Sequence, residues 1–252
     1  MAVLTIVDDE HALGATAAER ITTLIESSIR ERASAFISLT GGSTPRTLYR
    51  FLADPTQPWR ARIDWSRVHL FWGDERHVPP DHPESNFGMA NEALVSHVPI
   101  PAPQVHRMRG ELPDANHAAR EYESELDAAF SAAGRPDHTF DVMLLGLGED
   151  AHIASIFPGS LLLGGSSTEV AAVWAAHLNA WRITLTPAAI VNSRSILMIV
   201  AGAAKADALW WSLEGPEQID RHPAQLLRRA QDRVDWIIDR LAAGRLRDAP
   251  RA

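Results

Sequence analysis

The chain has 252 residues, with 24 lysines and arginines against 32 aspartates and glutamates, which gives a formal net charge of −8. This length fits one large domain or two small ones, and a hydrophobic fraction of 46% with 22% charged residues argues against wholesale disorder. The acidic balance disfavours nucleic acid or an anionic membrane as a partner, and the lack of cysteine excludes disulfides, thiolate nucleophiles and cysteine-ligated metals.

The beginning of the chain lacks the features of a secretory signal. Three acidic residues follow the short apolar run that ends at Val7, with no basic start and no long apolar stretch. The longest small or apolar run, residues 196–204, is far shorter than the ~20 residues that a membrane-spanning helix needs. We therefore expect a cytoplasmic protein without a membrane segment.

Short apolar or β-branched runs predict strands that are buried on both faces. In chain order these runs are Val3–Val7, Ala35–Leu39, Val68–Trp72, Phe140–Leu145, Val170–Trp174, Ile183–Leu185, Ile196–Ala201 and Val234–Ile238. Between them, apolar residues at helical spacing predict helices with one buried face. The helical positions are Leu13, Ala17, Ile21, Leu24 and Ile25, then Phe87, Ala90, Leu94 and Val98, then Ala118, Tyr122, Leu126, Ala129 and Phe130.

This alternation predicts an α/β fold, with an open, mainly parallel sheet flanked by helices in a Rossmann-like arrangement. We expect residues 1–252 to form one domain, in which the proline-rich stretch 79–103 is a candidate lid or side lobe. Ligands of such sheets bind beyond the carboxyl ends of the strands, so the residues that follow each strand are the candidates for function.

The first candidate segment follows the predicted strand 35–39. Glycines let backbone N–H groups approach an anion, hydroxyl groups add donors, proline suits the first turn of a helix, and the helix N-terminus is electropositive. The segment therefore predicts a phosphate-binding turn, and a tight turn without a ligand is the alternative. Its candidate binding residues are Gly41, Gly42, Ser43, Thr44 and Arg46.

The second candidate segment follows the predicted strand 68–72 and contains Asp74, Glu75 and Arg76. Burying these charges is costly unless they pair with each other or with a substrate, so this segment by itself predicts a solvated loop. We take Asp74 as a candidate substrate-binding residue and Arg76 as a candidate catalytic one. The histidines at 77 and 82 lack the H-E-x-x-H spacing of a metal site.

The third candidate segment follows the predicted strand 140–145. Its spacing of Gly146, Gly148 and Ala151 fits a loose dinucleotide pattern, but the acidic residues beside it would repel a pyrophosphate. We interpret Asp150 instead as the N-cap of a short helix over Ala151–Phe157, with His152 in its first turn. A helix N-terminus disfavours imidazolium, so His152 is predicted to be a neutral general base; a structural histidine is the alternative.

Two further cations follow later in the chain. Arg182 precedes the predicted strand 183–185, and Lys205 follows the run 196–201 close to a helix N-terminus. A cation at that end of a helix is unfavourable unless an anion is also bound, which weakly supports a phosphate site. Ordinary surface charges are the alternative for both residues.

Taken together, these segments resemble the 6-phosphogluconolactonases over nearly the whole chain. The segments that carry the resemblance are 40–45, 72–76, 145–158 and 182–186, with Ser85-Asn86-Phe87, Gly202, Lys205 and Asp239 extending it. The resemblance implies a lactonase without metal or cofactor that hydrolyses 6-phospho-D-glucono-1,5-lactone to 6-phosphogluconate in the pentose phosphate pathway.

The resemblance also implies roles for the site residues. His152, next to Asp150, would activate water, and Arg76 and Arg182 would hold phosphate or stabilise the developing oxyanion. The glycine turn and Lys205 would line the phosphate end. The implied partner is a phosphorylated sugar lactone, and we expect a monomer or a weak homo-oligomer.

One departure from the family pattern is Ala151, which stands where the family usually has glycine. If that position has φ > 0, alanine costs roughly 1 kcal/mol or more, whereas a helical first turn would make it harmless, which is the case we expect. Glucosamine-6-phosphate deaminase/isomerase is the alternative function, although that family reads D-E-Y at 74–76 and F-N-E-P at 155–158. A non-catalytic sugar-phosphate sensor is a third.

Overall fold

A parallel sheet of six strands, in the order β1-β9-β8-β5-β2-β3, forms the centre of the computed structural model, which describes residues 3–247. The strands are β1 (Val3–Val7), β2 (Ala35–Leu39), β3 (Val68–Trp72), β5 (Val142–Leu145), β8 (Ser195–Val200) and β9 (Val234–Asp239). Every neighbouring pair in this sheet is parallel, which confirms the predicted fold class. The first two and last five residues of the expected domain 1–252 lie outside the described residues.

A second, antiparallel sheet has the order β4-β7-β6, and its strand β4 begins two residues after β3 ends. Its strands are β4 (Asp74–Arg76), β6 (Val170–Ala175) and β7 (Ala180–Leu185). The three residues of β4 are charged and lack the apolar pattern of a strand, so the sequence predicted a loop there. Full burial was also wrong for two strands, since Trp174 on β6 is 48% exposed and Val3 on β1 is 57% exposed.

Seven α-helices lie within residues 3–247: α1 (Glu10–Arg32), α2 (Ser43–Ala53), α3 (Pro58–Arg62), α4 (Asn86–Ala93), α5 (Ala115–Ala132), α6 (Pro187–Val191) and α7 (Ala206–Leu213). Short 3-10 helices occupy Trp65–Arg67, Val95–His97, Ala102–Gln104, Leu161–Gly164, Ala176–Leu178, Ala203–Lys205, Pro223–Ala230 and Ala242–Arg245. The three predicted helical faces belong to α1, α4 and α5, although α4 ends before the last two residues of its pattern. None of the described helices is long and apolar enough to cross a membrane.

The six-stranded sheet is covered on both faces by apolar side chains. On β2, Phe36 belongs to one core cluster and its neighbour Ile37 to the other, because successive side chains of a strand point to opposite faces. Helix α5 packs into the first cluster, and α1 and α2 pack into the second. Met89 and Leu94 of the stretch 79–103 also pack into the second cluster. A lid function for that stretch stays a prediction.

Because all six strands are parallel, their carboxyl ends lie along one edge of the sheet. The segments that begin at Thr40, Gly73, Gly146 and Ala201 therefore leave the sheet on the same side. This topology brings together the candidate segments that the sequence separates by more than a hundred residues.

Candidate active site

A cavity of about 260 Å³ lies at this edge of the sheet. Six of the eleven candidate residues line it: Gly41, Gly42, Asp74, Arg76, His152 and Lys205. Ser43 and Arg46 line an adjoining cavity of about 470 Å³ that shares Gly42 and Arg76 with the first. A larger cavity of about 690 Å³ runs along α5 beside His106, away from the strand ends that carry the candidates.

Three candidates lie beside these cavities. Thr44 is in the first turn of α2, Asp150 contacts His152, and Arg182 on β7 is paired with Arg76 on β4. Arg182 is only 7% exposed. The structure therefore brings the eleven predicted residues into one region, where eight line the two cavities and three lie beside them.

The glycine turn is formed as the sequence predicted. Gly42 has φ 111°, a conformation that favours glycine, and it is the N-cap of α2, whose first turn contains Pro45. Gly41 packs so closely against Asn86 that a side chain at position 41 would collide with the Asn86 amide. The turn thus presents backbone N–H groups and the positive end of α2 towards the cavities.

The charged run 74–76 is not a solvated loop, because Asp74 is 8% exposed and Glu75 is 2% exposed. One oxygen of the Asp74 carboxylate accepts a hydrogen bond from the Ser155 hydroxyl at 2.6 Å. The Asn86 side chain donates to the Asp74 carbonyl at 2.9 Å. Asp74 therefore joins the loop that contains His152 to the start of α4.

Two arginines lie directly opposite each other on neighbouring strands of the second sheet. Arg76 pairs with Arg182 in the antiparallel register of β4 and β7, and like charges at such a pair are unfavourable. Burial, with the nearby charge of Arg76, lowers the pKa of Arg182. An anion bound between them would relieve this repulsion.

The conformation of the loop after β5 differs from the helix that the sequence predicted. Residues 150–157 form turns rather than the predicted helix, so Asp150 is not a helix N-cap and His152 does not lie in the first turn of a helix. Two backbone hydrogen bonds close the loop instead: the Gly148 N–H donates to the His152 carbonyl at 2.9 Å, and the Ala151 N–H donates to the Gly148 carbonyl at 3.0 Å. The expectation that Ala151 is harmless is also wrong.

Ala151 has φ 62° and is fully buried. This left-handed conformation costs an L-residue roughly 1–2 kcal/mol. The Ala151 carbonyl accepts a hydrogen bond from the Ala224 N–H at 2.8 Å, which fixes the loop against the 3-10 helix over 223–230. Tertiary contacts therefore impose a backbone conformation that the local sequence does not prefer.

Asp150 orients His152 directly. The two residues are joined by a hydrogen bond of 2.6 Å between His152 Nδ1 and Asp150 Oδ1. Because a carboxylate can only accept, this contact assigns the proton to Nδ1 and leaves Nε2 able to accept one. Burial acts to raise the pKa of Asp150, but the hydrogen bonds from the ring and backbone of His152 outweigh it, and the pKa is lowered to about 2. Asp150 is therefore an anion at any physiological pH.

Lys205 also lines the cavity and lies in the turn between β8 and α7. It caps the N-terminus of α7, as the sequence predicted, and its Nζ lies 4.0 Å from Glu149 Oε1. The carboxylate of Asp239 accepts hydrogen bonds from the N–H groups of Gly202, at 2.9 Å, and Ala242, at 2.7 Å. Asp239 thereby fixes the turn that presents Lys205.

Sequence reasoning did not assign a function to Asn86, Ser155 or Gly148. Asn86 and Ser155 form contacts between segments that are far apart in the chain, so no local pattern could identify their partners, whereas Gly148 contacts His152 within its own loop. The motif Ser85-Asn86-Phe87 was one available signal for Asn86. Within residues 3–247, no group of three His, Asp or Glu side chains is arranged to hold a metal ion.

Comparison with known proteins gives consistent results. A family model described as Glucosamine-6-phosphate isomerases/6-phosphogluconolactonase matches residues 8–236. The 6-phosphogluconolactonase of Mycobacterium tuberculosis is 40% identical over 246 residues, which cover 96% of this chain and 97% of the relative.

Solved structures agree with this result. The 6-phosphogluconolactonase from Thermotoga maritima superimposes with a TM-score of 0.79 at 31% identity, covering 95% of this chain and 100% of the other. A monomeric glucosamine-6-phosphate deaminase has the same TM-score of 0.79 at 23% identity, covering 96% of this chain and 99% of the other. At that identity the deaminase shares the fold alone.

Proposed function

The chain belongs to the glucosamine-6-phosphate isomerase/6-phosphogluconolactonase family, and we propose on this premise that it hydrolyses 6-phospho-D-glucono-1,5-lactone to 6-phosphogluconate in the pentose phosphate pathway. The observation that carries the proposal is the shared cavity of His152, Arg76, Lys205 and the glycine turn. A base that can accept a proton and groups that bind an anion are the two requirements of this reaction.

In the proposed mechanism, His152 Nε2 removes a proton from a water molecule as its oxygen attacks the lactone carbonyl carbon C1. The carbonyl oxygen becomes an oxyanion, which collapses and breaks the bond between C1 and the ring oxygen. The ring oxygen leaves as a hydroxyl after taking the proton from the His152 imidazolium. Asp150 stabilises that imidazolium and keeps the ring in the required orientation.

The cations and the glycine turn bind the anionic parts of the substrate. The N–H groups and hydroxyls of Gly42, Ser43 and Thr44 are placed to receive phosphate at the start of α2, beside Arg46 and Lys205. Arg76 lines both cavities and shares a register pair with Arg182, so either guanidinium can balance phosphate or oxyanion charge. Asp74 supports this wall through Ser155 and Asn86.

The proposed setting is a single catalytic domain that acts in the cytoplasm on a free phosphorylated sugar lactone, as a monomer or weak homo-oligomer, without nucleic acid, membrane, metal or cofactor. Gel filtration tests the oligomeric state, and treatment with a chelator tests whether the activity needs a metal. We expect activity to persist after treatment with excess EDTA, and its loss would contradict metal-independent hydrolysis.

The decisive experiment measures the opening of freshly prepared 6-phosphogluconolactone by the purified protein. We expect a rate well above that of the spontaneous reaction in the same buffer. Ammonia release from glucosamine 6-phosphate without lactone hydrolysis would indicate a deaminase instead. Binding of 6-phosphogluconate without turnover of either compound would indicate a sensor.

Gly148→Ala tests how tightly the base is positioned. A Cβ at Gly148 would collide with the His152 ring and lie 2.7 Å from Asp150 Oδ1. Because a displacement of about 1 Å can cost on the order of 100-fold in rate, we expect kcat/KM for the lactone to fall roughly 100-fold. The matched control is Gly164→Ala, since a Cβ at Gly164 meets no atom within 4 Å. Equal activity of the two variants would contradict the assigned geometry.

A further inference from the structure

Glu75 is a buried acid next to the cavity that the proposed mechanism does not use. It lies on β4 between Asp74 and Arg76, which both line the cavity. Because side chains alternate along a strand, Glu75 points to the opposite face, and it is 2% exposed. A carboxylate at such a position requires partners that offset the cost of its burial.

Four hydrogen-bond donors surround this carboxylate. Oε1 accepts from the backbone N–H groups of Arg76 and Asn86, both at 2.7 Å. Oε2 accepts from the Phe87 N–H at 2.8 Å and from the Ser85 hydroxyl at 3.0 Å. Burial raises the pKa of Glu75, while these hydrogen bonds act in the opposite direction. Both oxygens are thus fully used by donors from this chain.

These contacts fix the start of α4 against β4. Ser85 is the N-cap of α4, and its hydroxyl also accepts a hydrogen bond from the Gly88 N–H at 3.0 Å. Glu75 accepts from the two N–H groups that precede Gly88 in this first turn, where a negative charge is favourable. A carboxylate on a strand therefore satisfies donors that a helix alone leaves free.

The geometry of the cavity wall depends on this junction. The carbonyl of Glu84, directly before the N-cap, accepts a hydrogen bond from Arg76 Nη1 at 2.5 Å. Asn86, the first residue of α4, donates its side-chain amide to the Asp74 carbonyl and packs against Gly41. The backbone of Arg76 is thus fixed by Glu75 itself, and its guanidinium is fixed by the segment that Glu75 secures.

We propose that Glu75 is a positioning residue for the lactonase reaction, which holds Arg76 at the cavity without contacting the substrate. The inference rests on the proposed function, because Glu75 affects the reaction only if Arg76 binds the substrate or the oxyanion. The three consecutive residues 74–76 then have different tasks: Asp74 and Arg76 line the cavity, and Glu75 holds Arg76 in position.

Glu75→Gln changes this arrangement with little change in volume. Its amide NH₂ can only donate, so it must replace one oxygen that now accepts from a backbone N–H. At the Oε2 position the Ser85 hydroxyl can rotate to accept from it, but the Phe87 N–H then faces a donor. The substitution therefore disturbs the start of α4 and leaves the cavity residues themselves unchanged.

The test is a double-mutant cycle of the full-length protein with Glu75→Gln and Arg76→Ala, measured as kcat/KM for 6-phosphogluconolactone. We expect Glu75→Gln to lower kcat/KM roughly 10-fold or more, and the double variant to be about as active as Arg76→Ala alone. Residues that act through one another show such non-additivity. If Glu75 had only a structural role, Glu75→Gln would reduce the amount of folded enzyme by the same factor in the unmodified protein and in Arg76→Ala. The losses of the two single variants would then multiply in the double variant.

Glu92→Gln is the matched control, because it is an exposed acid on α4 away from the β4 junction. Its activity should equal that of the unmodified protein. If the losses of the two single variants multiply in the double variant, or if Glu75→Gln has normal kcat/KM, the inference about Glu75 is wrong while the proposed function stands. Normal activity of Arg76→Ala would remove Arg76 from the proposed function and overturn the inference with it.

If Glu75→Gln does not fold, Ser85→Ala replaces it in the same cycle. This variant removes one of the four donors to Glu75 and the N-cap hydroxyl of α4. We expect a loss of several-fold in kcat/KM that is absent in the Arg76→Ala background. A loss of equal size in both backgrounds would overturn the inference.

Discussion

Replacement of His152 by alanine should lower kcat for 6-phosphogluconolactone by roughly 10²- to 10⁴-fold, the usual contribution of a general base. The expectation follows from the position of the ring in the cavity and from the contact of its Nδ1 with Asp150, which leaves Nε2 to accept the proton of water. KM should change little, since the cations and the glycine turn bind the phosphate. Stopped assays with fresh lactone, corrected for spontaneous opening, measure both constants.

His117→Ala is the matched control for this variant. His117 lies on α5 with its side chain 50% exposed, and it lines the separate cavity along that helix. Its removal should leave kcat unchanged. Asp150→Asn should give a loss smaller than that of His152→Ala, because the base remains but its orientation and its imidazolium are no longer supported by a charge. A His152→Ala enzyme with more than a tenth of the normal kcat would exclude His152 as the base.

Replacement of Asp141 by alanine should lower the free energy of unfolding by roughly 3–5 kcal/mol, the cost of leaving a buried charge without its partner. The Asp141 side chain is 0% exposed and accepts hydrogen bonds from Arg32 at 2.7 Å and from Arg135 at 2.6 Å. It also accepts from the Phe36 N–H at 2.8 Å. Arg135 has a side-chain exposure of only 10%, so without Asp141 its charge stays buried and loses the carboxylate that pairs with it.

Urea unfolding measures this change, and Asp8→Ala is its control. Asp8 also forms an ion pair at 2.7 Å, with Arg240, but its side chain is 76% exposed, and pairs of this kind contribute little. Asp141 precedes β5 at the end of the sheet opposite to the cavity, so kcat per folded molecule should stay normal. If Asp141→Ala were no less stable than Asp8→Ala, the assigned role of the buried carboxylate would be wrong.

The fold was largely predictable because it depends on a pattern that each segment carries by itself. Runs of apolar residues that are short enough for strands, separated by helical periodicity, specify a parallel sheet covered on both faces. The exceptions have clear causes. The β4 strand consists of three charged residues, whose burial depends on partners from other segments, and β6 is exposed at Trp174 because it lies in the smaller sheet.

The candidate site was predictable in its residue types but not in its geometry. Glycines, a histidine and cations after strand ends indicated an anion site with a base, since parallel strands bring their ends to one edge. The local sequence also suggested a helix over 151–157, and the structure has turns there with Ala151 in a left-handed conformation. Contacts with Ala224 and Asp74 outweigh that local preference.

The amino-acid sequence by itself thus determined the fold class, the edge of the sheet at which the candidate residues lie and the residue types found there, because these follow from short-range periodicity and strand order. Only the tertiary structure decided that Asp150 orients His152 through a side-chain contact, that Arg182 lies opposite Arg76 on the neighbouring strand, and that Glu75 joins β4 to α4. Such pairings depend on distances between segments far apart in the chain, and no local pattern encodes those distances.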